Sequence, residues 1–440
     1  MRTIAIDCGA SFTKGAVFAE DGELLKKLQY HAPAVKKGGE ITEAVQIIEL
    51  FKKIKEMLRE LAKAGESSEY KLCISNEMHG FLLADAKGNP VTDYISWQKE
   101  YGGIIVNGNS AIEELRKNID SEDIIYTGMG LRNSLPSCNL LYLRKTGFFQ
   151  GRKKIFYFYT LGDYIVRKLS GMEPICHPTN AAATGLYDLR TGEWNRKLTE
   201  SYVNDGVIFP SVGCSVIKFE LEGISYQVNP AIGDQQAALL GAGLYSENMM
   251  SFNLGTGAQV ARLTRGTRRT SEYQIRPYFH GYYLMTIPHL PSGRALNVYF
   301  RFIKEVLGQF GAERADEQIW DKIILAEKKA EDTKIKCDLS FFENPLTSSD
   351  RGSVENIGEY ELTMGNLFRA VFEQMSDNFV KAADRLCSDR SRIQRLVFSG
   401  GIARRMETVR NGIIEKYGKD IEYTVAQDET LRGLYIYSEE

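Results

Sequence analysis

No stretch of the 440-residue chain approaches the ~18 consecutive apolar residues needed to cross a bilayer, so no membrane span is expected. Nor is there an excess of one charge, since 55 basic residues against 57 acidic leave a net −2. That balance supplies no global field to draw in nucleic acid or an anionic membrane, and neither is expected as a partner. The opening MRTIAIDCGAS is a strand pattern with an acid at position 7, not the layout of a secretory leader. Cysteine is scarce and scattered: Cys8, Cys73, Cys138, Cys176, Cys214, Cys337 and Cys387 form no CxxC pair and have no histidine at zinc-ligand spacing. They read as small buried hydrophobes in a reducing cytoplasm, with no structural disulfide or metal site among them. Also missing are GxxxxGK[ST], a G-x-G-x-x-G after a strand, HExxH and GxSxG. A nucleotide would have to be held by another device.

What is present is ordinary soluble-globular composition, 43% hydrophobic and 25% charged, in a chain long enough for two domains. The 40 glycines are a modest excess over the usual ~7%, and they gather at strand ends rather than in linkers. Residues 3–6 read as a buried strand and 12–19 as its return, with a turn at Asp21-Gly22. Residues 41–64 carry apolar side chains at 45, 47, 48, 50, 51, 54, 57, 58 and 61, the spacing of an amphipathic helix. A strand over 70–75 follows and ends in Asn76-Glu77-Met78-His79-Gly80, which gives an α/β layout. Residues 230–244 read as a loop entering a helix, 250–254 as a strand, 359–387 as a long helix and 395–398 as a strand before Ser399-Gly400-Gly401.

The two halves echo one another. IAIDCGASFTKGAVF at 4–18 and SFNLGTGAQVARL at 251–263 each have an apolar strand, a glycine turn with a hydroxyl nearby, and a returning strand. An offset of this length is too long for a solenoid and suggests duplicated α/β domains facing each other across a cleft, divided near residue 245. Glycine turns of this kind expose backbone N–H groups, and such nests bind phosphate oxygens. In the first, Gly9, Ser11 and Thr13 could donate, Lys14 could add charge and Asp7 could hold magnesium through water. In the second, Gly255, Thr256 and Gly257 could act likewise. A single turn of this type is more often structural; two at matched places argue for phosphate.

Asp234 follows Gly233 and heads QQAALLGAGL. It suits a helix N-cap, and the positive end of that helix would keep its carboxylate ionised, as a general base requires. Met78-His79 and Trp97-Gln98 lie beyond strands in the first half. An apolar ring beside imidazole and amide donors suits a sugar, although Trp97 by itself reads as mostly core and His79 as a structural hydrogen bonder. Gly400-Gly401 after a strand would let a planar base approach the backbone.

Taken together these segments resemble the FGGY carbohydrate kinase family over nearly the whole chain. IAIDCGASFTKGAVF resembles the first phosphate motif, NEMHG the Q-M-H-G sugar motif, and ISWQ the W-x-D-x-R region. IGDQQAALLGAG resembles the G-D-Q-Q-A-A segment that carries the catalytic aspartate; FNLGTGAQV resembles the second phosphate motif and VFSGGIARR the adenosine motif. Within the family, the WQ pair, GTGAQ, RPYFHGYYL and RGSVENIG look most like the sedoheptulokinase branch. The resemblance implies an α/β fold of two ribonuclease-H-like (actin-like ATPase) domains, 1–245 for sugar and 246–440 for nucleotide.

It also implies an ATP- and Mg2+-dependent kinase acting on a primary hydroxyl of a ketose or polyol, sedoheptulose being the leading candidate. Asp234 would be the base, Asp7 and Asp234 the residues near the metal, and Met78, His79, Trp97, Gln98, Asp234 and Gln235 the sugar contacts. Gly9, Ser11, Thr13, Lys14, Gly255, Thr256, Gly257, Gly293, Asn297, Gly400 and Gly401 would surround the nucleotide. Ala10, Phe12, Lys99, Tyr101 and Arg405 depart from the usual pattern. They keep in view a catalytically impaired sugar sensor on the same fold. A chaperone-type or actin-like ATPase is a second rival, against which NEMHG and the GDQQ segment argue. The expected setting is cytoplasmic, with a homodimer left open.

Overall fold

Strand Arg2–Cys8 organises the first of two compact units in the computed structural model, which describes residues 1–33, 45–151, 155–255, 257–267, 270–330 and 333–439. Six of its seven residues are buried. It pairs antiparallel with Phe12–Phe18, which pairs antiparallel with Leu24–His31, and on its other side it runs parallel to Glu69–Asn76. Ile224–Val228 extends the sheet parallel to Glu69–Asn76, and Ile217–Leu221 closes that edge.

The helix expected over 41–64 is described from Val45 to Gly65; residues 41–44 lie outside the described residues. It buries Ile47, Ile54, Met57, Leu58 and Leu61 against Ile4, Ile6 and Val17 of the sheet. Contact is close at Gly15, where a Cβ would lie 2.4 Å from Met57 Sδ and 2.9 Å from Leu61 Cδ1, so a larger residue would force those helix side chains to shift. Between Phe81 and Val207 the chain builds a second, aromatic core around Phe81, Leu135, Leu140, Phe156 and Phe158. A hairpin turning at Thr191-Gly192 pairs Tyr187–Asp188 with Glu193–Trp194.

In the second unit, Met249–Asn253 takes the place that Arg2–Cys8 has in the first. It is antiparallel to Gln259–Thr264 and parallel to Arg395–Ser399, which is parallel to Glu422–Val425. Tyr283–Pro288 lies beyond Gln259–Thr264. The central plan is therefore the same in both units, a buried strand with its antiparallel return on one side and a parallel strand on the other, the ribonuclease-H-like arrangement. The long helix expected at 359–387 spans Met364–Leu386 and buries Phe368, Val371, Phe372, Met375 and Phe379.

The units are not two consecutive halves, as a division at 245 would have them. The first comprises Met1–Gly241, Arg265–Tyr283 and Asp428–Glu440; the second comprises Ala242–Thr264 and Leu284–Gln427. Packing explains the return of the C-terminal segment. Helix Glu429–Tyr437 meets helix Asp234–Ala242 at Gly433 and Gly241, Ser438 Oγ lies 2.9 Å from Thr3 Oγ1, and Tyr437 donates to the Pro230 carbonyl at 3.1 Å. Six of the seven cysteines are buried, as expected; Cys214 is exposed, on a loop outside both cores. Among the described residues, no helix is long and apolar enough to cross a membrane.

Candidate active site

Three carboxyl groups gather at one end of the first unit's sheet. Asp7 leaves the buried end of Arg2–Cys8 and accepts a hydrogen bond from Ser75 Oγ at 2.8 Å. Glu77 follows the neighbouring parallel strand, its N–H bonded to the Cys8 carbonyl at 2.9 Å. Asp234 opens helix Asp234–Ala242 directly after the short strand Ile232–Gly233, which pairs with Ser75 and Asn76. Its Oδ1 accepts from the Gln235 N–H at 2.8 Å.

Burial dominates the electrostatics of all three. It pushes Asp7 up to about 6, against the pull of the Ser75 hydroxyl and the Lys14 charge. It pushes Glu77 up to about 7, opposed by the nearby Tyr94 hydroxyl and by the Trp97 indole that donates to it. Asp234 is raised to about 7 by burial and then by the charge of Asp7, with Arg276 pulling the other way. Asp7 and Glu77 both oppose the charge on Asp234, a grouping that fits a cation beside Asp7 and Asp234. Among the described residues no cluster of three or more His, Cys, Asp or Glu could hold a metal by itself. Two carboxylates with water and phosphate oxygens completing the shell is the way Mg2+ is usually held.

The sugar-side residues surround this cluster. Met78 is buried and touches Gly233, where a Cβ would sit 2.9 Å from its Sδ. His79 adopts φ +66°, and its Nδ1 bonds the Ala183 carbonyl at 2.7 Å, which fixes the ring. Gly80 is required because a Cβ there would fall 2.1 Å from the Tyr94 hydroxyl.

Trp97 corrects the expectation of a mostly core residue. It is 44% exposed, because its indole N–H is drawn to Glu77 Oε2 at 3.1 Å and the ring is left open to solvent. Gln98 is exposed beside it. Lys99 lies 5.9 Å from the Tyr101 ring centroid, so these two departures from the family pattern are paired with each other. Gln235 is buried and accepts from Arg276 Nη1.

The phosphate and nucleotide candidates divide between the units. In the first, Gly9 N–H closes the turn on the Phe12 carbonyl at 3.1 Å and Ser11 is exposed. Lys14 stands opposite Asp7 in the strand register. Thr13 is buried, with its hydroxyl turned inward. In the second, three glycine turns converge. Gly293 N–H reaches the Gly255 carbonyl at 3.3 Å, and Ile402 N–H the Leu254 carbonyl at 3.0 Å. Gly400 has φ +91°, and a Cβ there would strike the Leu254 carbonyl at 2.5 Å, so glycine is needed.

Gly257 and Gly401 are exposed, with open space beside their Cα atoms. Helix Gly293–Gln309 begins at these turns with no side-chain cap, its first N–H, that of Gly293, being taken by the Gly255 carbonyl. Asn297 is exposed one turn in, and Arg405 pairs with Asp321 at 3.3 Å. Thr256 lies outside the described residues.

Sequence reasoning left out Glu77 and Arg276. Glu77 stands where the Q-M-H-G motif has glutamine, and that difference was visible. Arg276 belongs to the RPYFHGYYL segment and comes from sequence remote from its partners.

A family model described as the N-terminal domain of the FGGY family of carbohydrate kinases matches residues 2–221. A xylulose kinase of Staphylococcus xylosus is 23% identical over 292 residues, 63% of this chain and 58% of that protein. A human sedoheptulokinase is 20% identical over 288 residues, 60% of each chain. The chain thus spans somewhat over half the length of the curated relatives it matches. Among solved structures, a ligand-bound xylulose kinase from Lactobacillus acidophilus superposes with a TM-score of 0.82 at 17% identity, covering 100% of this chain and 89% of that one.

Proposed function

The chain belongs to the FGGY family of carbohydrate kinases, and from that premise we propose that it transfers the γ-phosphoryl group of ATP to a primary hydroxyl of a ketose or polyol, with sedoheptulose the leading candidate. The observation that carries the reading is Asp234. It stands on the first turn of a helix, fixed by its neighbour's N–H and held near neutrality by burial and by Asp7. That is the tuning a general base needs to accept an alcohol proton at physiological pH. In a loose phosphoryl-transfer transition state the proton leaves late, so orienting the hydroxyl is most of the task.

The remaining roles follow from placement among the described residues and, for Thr256, from the sequence motif alone. His79 and Gln235 would bind the sugar's hydroxyls, Met78 would pack against its carbon skeleton and the open face of Trp97 would stack on it, with Gln98 at the rim. Gly9, Ser11 and Lys14 of the first unit would take phosphate oxygens, whereas Thr13, expected to join them, is buried with its hydroxyl turned inward and does not. Gly255, Thr256, Gly257, Gly293, Asn297, Gly400 and Gly401 of the second would hold the nucleotide. Asp7 and Asp234 would hold Mg2+ through water, and the ion would neutralise charge on the phosphates.

The test is sugar-dependent ADP release with Mg-ATP on sedoheptulose, xylulose, ribulose, fructose and glycerol, with Asp234→Ala as the control. Release on one of these that falls by about 1,000-fold in the control, with ATP binding retained, supports the reading. A folded, ATP-binding protein that is silent on all five sugars removes it in favour of a sugar sensor.

A further inference from the structure

Arg276 is charged, 4% exposed and, among the described residues, bonded only to neutral acceptors. Its Nη1 donates to Gln235 Oε1 and lies 3.8 Å from Met78 Sδ, and its Nη2 donates to Gln274 Oε1 at 2.5 Å. Its Nε is buried with no hydrogen-bond partner. One guanidinium therefore touches both segments that form the sugar side of the site, the Met78–His79 turn and the first turn of the Asp234 helix. The backbone on either side of Arg276 is tied down as well. Ile275 N–H donates to the Gly128 carbonyl at 3.0 Å, and Gln236 Nε2 donates to the Pro277 carbonyl at 3.3 Å. Gly128 has φ +74°, and a Cβ there would lie 2.0 Å from the Ile275 carbonyl oxygen, so the approach depends on glycine.

A buried arginine without a carboxylate partner is costly to keep, and a purely structural role at this place would be filled as well by an apolar side chain. What an apolar side chain cannot supply is a rigid planar fork with donors in two directions. We propose that Arg276 is the positioning residue of the acceptor site, a fork that locks Gln235, and with it the helix turn bearing Asp234, against the Met78–His79 turn. The inference rests on the kinase reading above and adds to it the residue that sets the geometry of the base. The charged groups facing the fork are Asp234, which favours its charge, and Arg132, which opposes it.

Steady-state kinetics of Arg276→Met and Arg276→Lys decide it, with sugar and ATP varied separately and the melting temperature measured alongside. A displaced base and sugar contact should lower kcat/KM for the sugar by about 100-fold in Arg276→Met. KM for ATP should stay within about twofold, and added guanidinium ion should restore part of the loss. Arg276→Lys keeps the charge without the fork and should show the same split in weaker form; it also serves if Arg276→Met does not fold. Wild-type sugar kinetics in both variants would overturn the proposal. So would a fall in melting temperature and active fraction with sugar KM unchanged and no rescue, the pattern of a merely structural residue. A wild-type protein silent on every sugar overturns the kinase reading and this inference with it; an active wild type with indifferent variants overturns the inference alone.

Discussion

Trp97 donates its indole N–H to Glu77 Oε2 at 3.1 Å, and through this bond a buried carboxyl holds an exposed ring in place. The bond runs from a loop to the residue that follows a central strand, so the ring inherits the rigidity of the sheet. If that face stacks on a sugar, Trp97→Ala should raise KM for the sugar by about 10-fold or more and leave KM for ATP unchanged. Trp97→Phe keeps a face without the anchoring N–H and should fall between. Equal effects on both substrates would mean that the loop, not the ring face, is what matters.

If Asp234 is the base, the pH profile reports its ionisation. Burial, then the charge of Asp7, raises Asp234 to about 7, with Glu77 adding to the effect. The ionised form is the one that accepts a proton, so kcat/KM for the sugar should climb as pH rises through about 7 and then level off. Glu77→Gln removes a negative charge that opposes ionisation of Asp234, so the climb should move to lower pH. A profile flat from pH 5.5 to 8.5 would contradict Asp234 as the base.

How much of this was legible before the structure depended on the distance between partners along the chain. The echo of residues 4–18 in 251–263 gave the duplicated plan because a strand, a glycine turn and a returning strand are local features. Asp234 was legible for the same reason, since helix start, glycine and amide pair are consecutive. Arg276 was not, because its partner Gln235 is 41 residues away and no local pattern marks a buried cation. The C-terminal helix was assigned to the wrong unit because nothing in its own sequence says that Gly433 meets Ala237 and Gly241. Trp97 looked like core because tryptophan usually is; its partner Glu77, twenty residues earlier, is what turns its face outward.

His177 links the stability of this region to pH. Burial pushes its imidazole down to about 3, and its Nδ1 accepts the Thr179 N–H at 3.2 Å, which requires a neutral ring. The same Thr179 holds Gly233, the residue before Asp234, at 3.1 Å. In the unfolded chain histidine takes up a proton below about 6.5. The unfolded state then binds more protons than the native one, so stability falls as pH drops from about 6.5 toward 3, by up to ~1.4 kcal/mol per unit. Urea unfolding at pH 7 and pH 5 should show this loss in the wild type and less of it in His177→Gln. Equal losses in the two proteins would exclude His177 as a source.

Gly433 and Gly241 bring two helix backbones into contact, and the magnitudes decide what a methyl group would do there. A Cβ on Gly433 would lie 1.8 Å from the Ala237 carbonyl oxygen, and one on Gly241 1.8 Å from the Glu429 carbonyl oxygen. Alanine gains about 1 kcal/mol over glycine within a helix. Here that gain is opposed by a clash with backbone, which no rotamer change relieves and which costs typically ~1–3 kcal/mol or more. The clash should win, so Gly433→Ala should lower stability to urea. Because the displaced helix is the one that begins at Asp234, it should lower kcat as well. Gly308→Ala is the matched control: it lies in helix Gly293–Gln309, with nothing nearer to an added Cβ than Glu313 Oε1 at 4.0 Å. That variant should be unchanged or slightly more stable. If the two substitutions behaved alike, the helix contact at Gly433 would not be holding the Asp234 helix in place.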